Sequence, residues 1–213
     1  LVGSFVTSHV LSDNPYGSFH PIAALNRQIF VPEVALGRLV ENPDQIQSQV
    51  QQFIDNEGEL DPTSALTTGY DFLSDGATNV AEGVAAVVGA LNAVRLINDS
   101  WTSADLTAAF DEQVPPPDIA SINAHFDHYR LLPGAGNSTG DESDLYTTAD
   151  ISRAPGAPRI LPGSIVFSMG CHSGLNVGDV LVPNPSSEQA ERLLDWPAAF
   201  ADQGAAVFVA NTG

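Results

Sequence analysis

The segment GSIVFSMGCHSG (residues 163–174) is the stretch on which the fold prediction depends. Its first eight residues form an apolar run bounded by glycines, which is typical of a buried strand in a parallel sheet. The chain's only cysteine, Cys171, follows directly, between Gly170 and His172. Ligands of parallel sheets bind at the carboxyl ends of strands. Cys171 is therefore either a nucleophile at a strand end or a small buried side chain.

The rest of the chain alternates predicted strands and helices, which indicates one compact α/β domain with a mainly parallel sheet and helices on both faces. The predicted strands cover residues 4–11, 31–39, 64–69, 119–126, 163–170 and 205–211. The predicted helices cover residues 42–58, 78–94, 102–113 and 186–204. Asn42 is expected to cap the first helix, and Pro197 is expected to bend the last one. Residues 70–77 and 133–144 are predicted to be polar loops.

The charge balance narrows the choice of partner. The chain has 26 Asp and Glu residues against 7 Arg and no Lys, which gives a net charge of −19. Nucleic acids and anionic membranes bind basic patches, so neither is an expected partner. The lack of lysine excludes P-loop phosphate chemistry and Schiff-base catalysis. No apolar run approaches the roughly 20 residues that span a bilayer, so membrane insertion is not expected.

The two ends of the sequence and its acidic composition lead to expectations about the surrounding chain and the location of the protein. It begins LVGSFVTSHV, without a methionine, and ends AVFVANTG, a predicted strand that runs into a turn. We therefore expect residues 1–213 to be a domain excised from a longer chain, with flanking domains as partners. The acidic composition suits a saline or extracellular medium, and we expect a secreted or cell-surface protein.

Two predicted strands end in residues that can carry chemistry. SINAHFDH (residues 121–128) supplies His125 and His128, and the strand at 163–170 leads to Cys171. Attack by cysteine requires the thiolate, which a neighbouring imidazole can generate and stabilise. Backbone N–H groups in the turns after the strands could bind the oxyanion. Gly170 and Gly174 would allow the chain to turn tightly around the thiol.

A metal site is the alternative interpretation of the same side chains. Zinc needs at least three converging ligands, and His125, His128 and Cys171 could supply them. Residues three apart lie on opposite sides of an extended strand, so the two histidines would converge only if the segment turns. This hypothesis predicts a metal-dependent hydrolase.

The order of several segments resembles the gingipain-type cysteine peptidases, which belong to the clan of caspase-like folds. The segments are SDNPYG, VPEVALGRLVENPDQIQSQVQQFI, GYDFLSDGA, INAHFDH, IVFSMGCHSG and WPAAFADQGAAVFVANTG. CHSG is also similar to the nucleophile motif of metacaspases. The resemblance implies a caspase-like three-layer sandwich and a cysteine endopeptidase that needs no cofactor for the chemical step. Cys171 would be the nucleophile and His125 the general acid/base, with the N–H groups of Cys171 and Phe126 binding the oxyanion of a polypeptide substrate.

One departure from the family keeps alternatives open. The family has glycine after the histidine, whereas this chain has Phe126, so His128 is an alternative base. A catalytically inactive domain that binds peptides or partners is an alternative function.

The resemblance also suggests binding residues. Arginine-cleaving relatives hold a carboxylate at the base of their first pocket, and Asp71 and Asp75 lie in the corresponding region. A structural calcium ion is a further expectation, because calcium takes several oxygen ligands. Its candidate ligands are Asp13, Asp141, Glu142 and Asp144.

Overall fold

A computed structural model describes residues 12–40, 42–113, 115–153, 157–176 and 194–212. The strands are β1 (Ile22–Ala24), β2 (Arg27–Ile29), β3 (Ala65–Gly69), β4 (Ala93–Ile97), β5 (Ile119–Ser121), β6 (His125–Phe126), β7 (Arg130–Leu132), β8 (Tyr146–Thr147), β9 (Ile165–Phe167) and β10 (Val207–Val209). The helices are α1 (Asn14–Gly17), α2 (Pro43–Asp55), α3 (Ser74–Val88), α4 (Ser103–Asp111), α5 (Gly134–Thr139), α6 (Thr148–Ile151) and α7 (Trp196–Asp202). Two 3-10 turns cover Asp71–Leu73 and Ala90–Asn92.

The core of the fold is a parallel sheet of five strands in the order β4-β3-β5-β9-β10. Every neighbouring pair in it is parallel, which confirms the predicted α/β class with a mainly parallel sheet. The first of these strands in the chain, β3, lies between β4 and β5. The connection from β3 to β4 runs to one side, and the connection from β4 to β5 returns past β3 to the other side. The strand order therefore reverses between β3 and β5, and this is the point where ligands bind in open parallel sheets. A smaller antiparallel sheet, β6-β7-β8, follows β5.

Helices cover both faces of the sheet. On one face, Gly69 approaches Ala77 of α3 so closely that an added Cβ would collide with it. The opposite face carries Leu66 of β3, and the registers place Phe208 of β10 on that same face. The ring of Phe208 lies 4.7 Å from that of Phe200 in α7. Successive side chains of a strand point to opposite faces, so α3 and α7 form separate layers on the two sides.

The buried core is richest on the α7 face of the sheet. It is one cluster that includes Leu66, Ala120 and Val166 of the strands and aromatic side chains of the covering helices. Burial of such large apolar side chains is the main favourable contribution to folding. The core therefore packs β3, β5 and β9 against the covering helices.

The best-predicted helix is α2. Asn42 accepts hydrogen bonds from the backbone N–H groups of Asp44 and Gln45, and the Gln45 side chain accepts one from the N–H of Asn42. This reciprocal capping box, with Pro43 in the first turn, starts the helix where the sequence indicates. The predicted end also holds, because Gly58, with φ of +73°, follows the last turn.

Three predictions in the middle of the chain are wrong in type or in extent. Residues 70–77 are not a loop, because the 3-10 turn and the start of α3 occupy them. The predicted helix over 78–94 ends at Val88, before Gly89 with φ of +87°, and the chain then enters β4. Residues 133–144 include the short helix α5. In all three places, turn-forming residues act as helix boundaries, which is a role they share with loops.

Other differences concern the ends of the chain. The predicted strand over 31–39 is wrong: these residues form no strand and expose Val31, Val34 and other apolar side chains. Pro197 lies in the first turn of α7 and does not bend the helix. Residues 186–193 of that predicted helix lie outside the described residues. The predicted strand over 4–11 also lies outside them. In the described parts of the chain, every helix is too short or too polar to cross a membrane.

Candidate active site

Cys171 lies in a turn just beyond the carboxyl end of β9, and its side chain is exposed. The chain leaves the sheet at Ser168, whose N–H donates to the carbonyl of Val209 over 3.0 Å. It is held again at Gly174, whose N–H donates to the carbonyl of Asn211 over 2.6 Å. The turn that carries the thiol is thus fixed at both ends to the strand-end segment of β10. The exposure shows that Cys171 is not a buried packing residue.

The backbone around the thiol offers hydrogen-bond donors. Within the described parts of the chain, the N–H groups of Cys171, His172 and Ser173 donate to no acceptor. His172 adopts φ of +55°, a left-handed conformation that is uncommon outside glycine. Successive N–H groups around such a residue can converge on an anion. This turn can therefore present donors to a negative charge beside Cys171.

His125 begins β6 at the neighbouring strand end, and it is exposed. Its backbone N–H donates to the hydroxyl of Tyr70 over 2.8 Å, and that hydroxyl donates to the carbonyl of Leu132 over 2.7 Å. Burial raises the pKa of Tyr70 to about 12, so the hydroxyl stays protonated at neutral pH. Tyr70 thereby fixes the backbone of His125 to β7. The His125 ring lies 5.6 Å from that of Phe72 and 6.0 Å from that of Tyr70.

Gly170 is the contact that brings the two strand ends together. A Cβ added to it would lie 2.9 Å from the carbonyl oxygen of Ala124 and 2.9 Å from Cγ of Phe126. Ala124 and Phe126 flank His125, and Gly170 immediately precedes Cys171. The backbone segments that carry the thiol and the imidazole are therefore in direct contact.

The Phe126 ring is buried and points into the protein. It packs edge-on against Trp196, with 5.4 Å between the ring centroids. The Phe126 side chain therefore fills the space under Gly170 and leaves the exposed side of the strand end open.

The pairing of β6 with β7 fixes where the N–H of Phe126 points. The N–H of Asp127 donates to the carbonyl of Arg130, so these residues form a hydrogen-bonded pair. Such pairs alternate with non-bonded pairs in antiparallel strands, and the next pair is Phe126 with Leu131. The N–H of Phe126 therefore points away from β7, to the edge that also carries the carbonyl of Ala124. Gly170 lies against that edge.

His128 lies in a different environment from His125. It occupies the turn between β6 and β7, where its Nδ1 lies 3.0 Å from Oδ1 of Asp127. Burial raises the pKa of the Asp127 carboxyl, but hydrogen bonds from His128 and the positive charge of Arg130 outweigh burial and leave that pKa below its ordinary value. The carbonyl of His128 accepts the N–H of Trp196. His128 is thus bound into the hairpin turn, beyond Phe126.

Both predicted substrate-binding carboxylates lie at the same edge of the sheet. Asp71, with φ of +48°, follows β3, and its N–H donates to the carboxylate of Asp99 over 2.9 Å. The next residue, Phe72, contacts the His125 ring. Asp75 lies in the first turn of α3 and is exposed. Its neighbour Gly76 lies against the Met169 side chain, next to the segment that carries Cys171.

Among the described residues, the structure supports neither the zinc nor the calcium interpretation. Across the described residues, no three His, Cys, Asp or Glu side chains are grouped as metal ligands. Asp13 is paired with Arg38, and Asp144 accepts the hydroxyl and N–H of Ser103 at the start of α4. Asp141 accepts from Ser143, which holds the pKa of Asp141 below its ordinary value, and Glu142 is exposed. The candidate calcium ligands therefore make separate contacts.

Two residues of the site are missing from the sequence-based prediction. Tyr70, which binds the backbone of His125, falls in the stretch predicted to be a loop. Asn123, whose side-chain oxygen accepts the N–H of Met169, falls inside a predicted strand. Asn123 could have been noticed, because a polar amide within an apolar strand pattern needs buried partners. For Tyr70 there is no comparable signal, since its partners are backbone groups distant in the sequence.

Comparisons with models of protein families, with curated proteins and with solved structures found no match to this chain. The functional assignment therefore depends on the residues and geometry described above.

Proposed function

We propose that this domain is a cysteine endopeptidase in which Cys171 is the nucleophile and His125 the general acid/base. The observation that carries the proposal is the contact of Gly170 with Ala124 and Phe126. It joins the backbone on the amino side of the thiol to the backbone on both sides of the imidazole. Both side chains are exposed at the carboxyl edge of the sheet, where parallel sheets bind their ligands.

The proposed reaction proceeds in two steps. His125 takes the proton of the Cys171 thiol, and the thiolate attacks the scissile carbonyl carbon. The C–N bond then breaks, the imidazolium gives its proton to the leaving amine, and an acyl-enzyme remains on sulfur. A water molecule that loses a proton to His125 attacks the thioester, which releases the carboxylic acid and regenerates the thiol.

Two backbone donors are suited to the oxyanion of this reaction. The N–H of Cys171 has no acceptor among the described residues. The N–H of Phe126 is directed to the strand edge that Gly170 touches. Donors that are fixed before the reaction stabilise the developing charge without reorganisation.

We prefer His125 to His128 as the general acid/base because the two imidazole rings have different surroundings. His128 is tied to Asp127 in the hairpin turn and is the less exposed of the two. His125 contacts the exposed ring of Phe72, at the edge where Cys171 also lies.

For the substrate we propose a polypeptide with a basic side chain at the cleaved bond. Asp71 and Asp75 are exposed at the same edge as His125 and Met169. A net charge of −19 also attracts cationic peptides over long range.

A peptidase-like domain that binds peptides without cleaving them is the second candidate. One observation favours it: the His125 ring contacts two aromatic rings but has no hydrogen-bond partner among the described residues. An active base is normally oriented by a third group.

The test is alkylation of Cys171 by iodoacetamide across a pH series, followed by hydrolysis of fluorogenic peptides with Arg or Lys before the bond. Rapid alkylation well below the ordinary thiol pKa of about 8.5 indicates a stabilised thiolate. His125→Ala is expected to restore an ordinary thiol profile, whereas the matched variant His128→Ala is not. A wild-type profile that follows an ordinary thiol would favour the peptide-binding domain and refute the peptidase.

Cys171→Ala is the second test. Because the side chain is exposed, the variant is expected to abolish hydrolysis and leave the melting temperature nearly unchanged. Full hydrolysis by this variant would place the nucleophile elsewhere.

A further inference from the structure

Asn123 is a buried amide at the carboxyl end of β5, and both atoms of its amide group are hydrogen-bonded. Its Oδ1 accepts the backbone N–H of Met169 over 3.1 Å. Its Nδ2 donates to the carbonyl of Thr68 over 3.0 Å and to Oγ of Ser121 over 2.8 Å. Thr68 and Ser121 are also fully buried. Water cannot replace these partners, so each of the bonds matters to the local structure.

These bonds connect three neighbouring strand ends. Thr68 belongs to β3, Asn123 follows β5, and Met169 follows β9. Asn123 lies two residues before His125, and Met169 lies two residues before Cys171. One side chain thus holds the backbone that leads to the imidazole against the backbone that leads to the thiol.

We propose that Asn123 is a positioning residue that sets the distance between Cys171 and His125 and so determines how strongly the thiol is activated. This inference rests on the proposed function. Asn123 touches neither the thiol nor the substrate, and it acts through the backbone of Met169.

The chemistry of the position requires an amide. The N–H of Met169 needs an acceptor and the carbonyl of Thr68 needs a donor, and asparagine supplies one of each from a short side chain. These two partners also fix the orientation of the amide, with oxygen toward Met169. An aspartate would keep the acceptor, whereas an alanine would remove both functions.

Asn211 also binds the turn, from the side of β10, but its hydrogen bonds are longer than that of Asn123. Nδ2 of Asn211 lies 3.4 Å from the carbonyls of both Met169 and Gly170, and Asn211 is exposed. Loss of the Asn123 bond would therefore leave the turn attached mainly to β10. The turn could then shift away from β5, and the thiol would move away from His125.

The experiment separates positioning from simple stabilisation by using a matched variant of the same network. Ser121→Ala removes the bond between Ser121 and Asn123 but leaves Met169 bound to Asn123. Asn123→Ala removes both. For each protein, the melting temperature and the pH profile of Cys171 alkylation by iodoacetamide are measured on the full chain.

We expect both variants to melt at lower temperature than the wild type, but only Asn123→Ala to lose thiol activation. A rise of one unit in the thiol pKa lowers the thiolate fraction about tenfold at pH values below that pKa. Alkylation of Asn123→Ala at pH 6 is therefore expected to be at least about tenfold slower than that of the wild type. A wild-type pH profile in Asn123→Ala would overturn the inference.

Asn123→Asp serves if Asn123→Ala does not fold. It keeps the oxygen that accepts from Met169, and burial against the carbonyl of Thr68 favours the neutral carboxyl, which adds no charge near the thiol. We therefore expect a lower melting temperature with a wild-type alkylation profile. An ordinary thiol profile in folded Asn123→Asp would contradict the assigned role of the Met169 bond. A wild-type enzyme that itself titrates as an ordinary thiol would overturn the proposed function and this inference together, so the two failures are distinguishable.

Discussion

Replacing Gly170 with alanine should separate the two strand ends that form the candidate site. The new Cβ would collide with the Phe126 ring and lie 2.9 Å from the carbonyl oxygen of Ala124. Ordinary van der Waals contact between carbon atoms needs about 3.5–4.0 Å. The ring is packed against Trp196 and the carbonyl belongs to the backbone, so neither can move aside freely. Gly170 is therefore required by the close approach of two segments.

The expected cost follows from similar overpacked sites. Adding a methyl group to a well-packed position destabilises a protein by about 1–3 kcal/mol. We expect the upper half of that range, because one of the two collisions involves the backbone. For a domain of about 200 residues, 1 kcal/mol shifts the melting temperature by about 2–4 °C. Gly170→Ala should therefore melt about 4–12 °C below the wild type.

Thermal unfolding followed by circular dichroism measures this shift, and iodoacetamide labelling of the folded variant measures its effect on the site. We expect acid-shifted alkylation of Cys171 to be lost even at temperatures where the variant is fully folded. A variant with unchanged melting temperature and unchanged labelling would refute the close approach of the strand ends, and with it the observation on which the peptidase proposal depends.

Three further predictions concern residues outside the thiol turn. Tyr70→Phe leaves the N–H of His125 and the carbonyl of Leu132 without the hydroxyl, which should cost about 1–3 kcal/mol in urea denaturation; an unchanged midpoint would show that the bridge is not formed. Burial raises the pKa of Tyr70 to about 12 in the folded protein, so the unfolded chain releases this proton first, from about pH 10. The free energy of unfolding should therefore fall between about pH 10 and 12, and it should fall less steeply in Tyr70→Phe. Gly83→Ala should stabilise the domain by about 0.5–1 kcal/mol, because Gly83 is exposed within α3 and an added Cβ meets nothing within 4 Å; a lower melting temperature would contradict the helix assignment there.

Local patterns in the sequence were sufficient for several elements. Asn42 and Pro43 mark the start of α2, and the apolar runs mark β3, β9 and β10, because capping and burial depend on neighbouring residues in the chain. The strand-end position of Cys171 was predicted from one such run and its flanking glycines, and the structure decided that its side chain is exposed and not buried.

The sequence by itself determined the α/β class, the parallel sheet and the strand ends that lead to Cys171 and His125, although the strand predicted over 119–126 ends at Ser121 and His125 begins β6. Only the tertiary structure decided how those ends meet. Gly170 lies against Phe126, and Asn123 binds Met169 across 46 positions of the chain. Tyr70 bridges His125 and Leu132 across similar separations. Such contacts depend on strand order and register, which arise from packing of the whole core and leave no periodic pattern in the sequence.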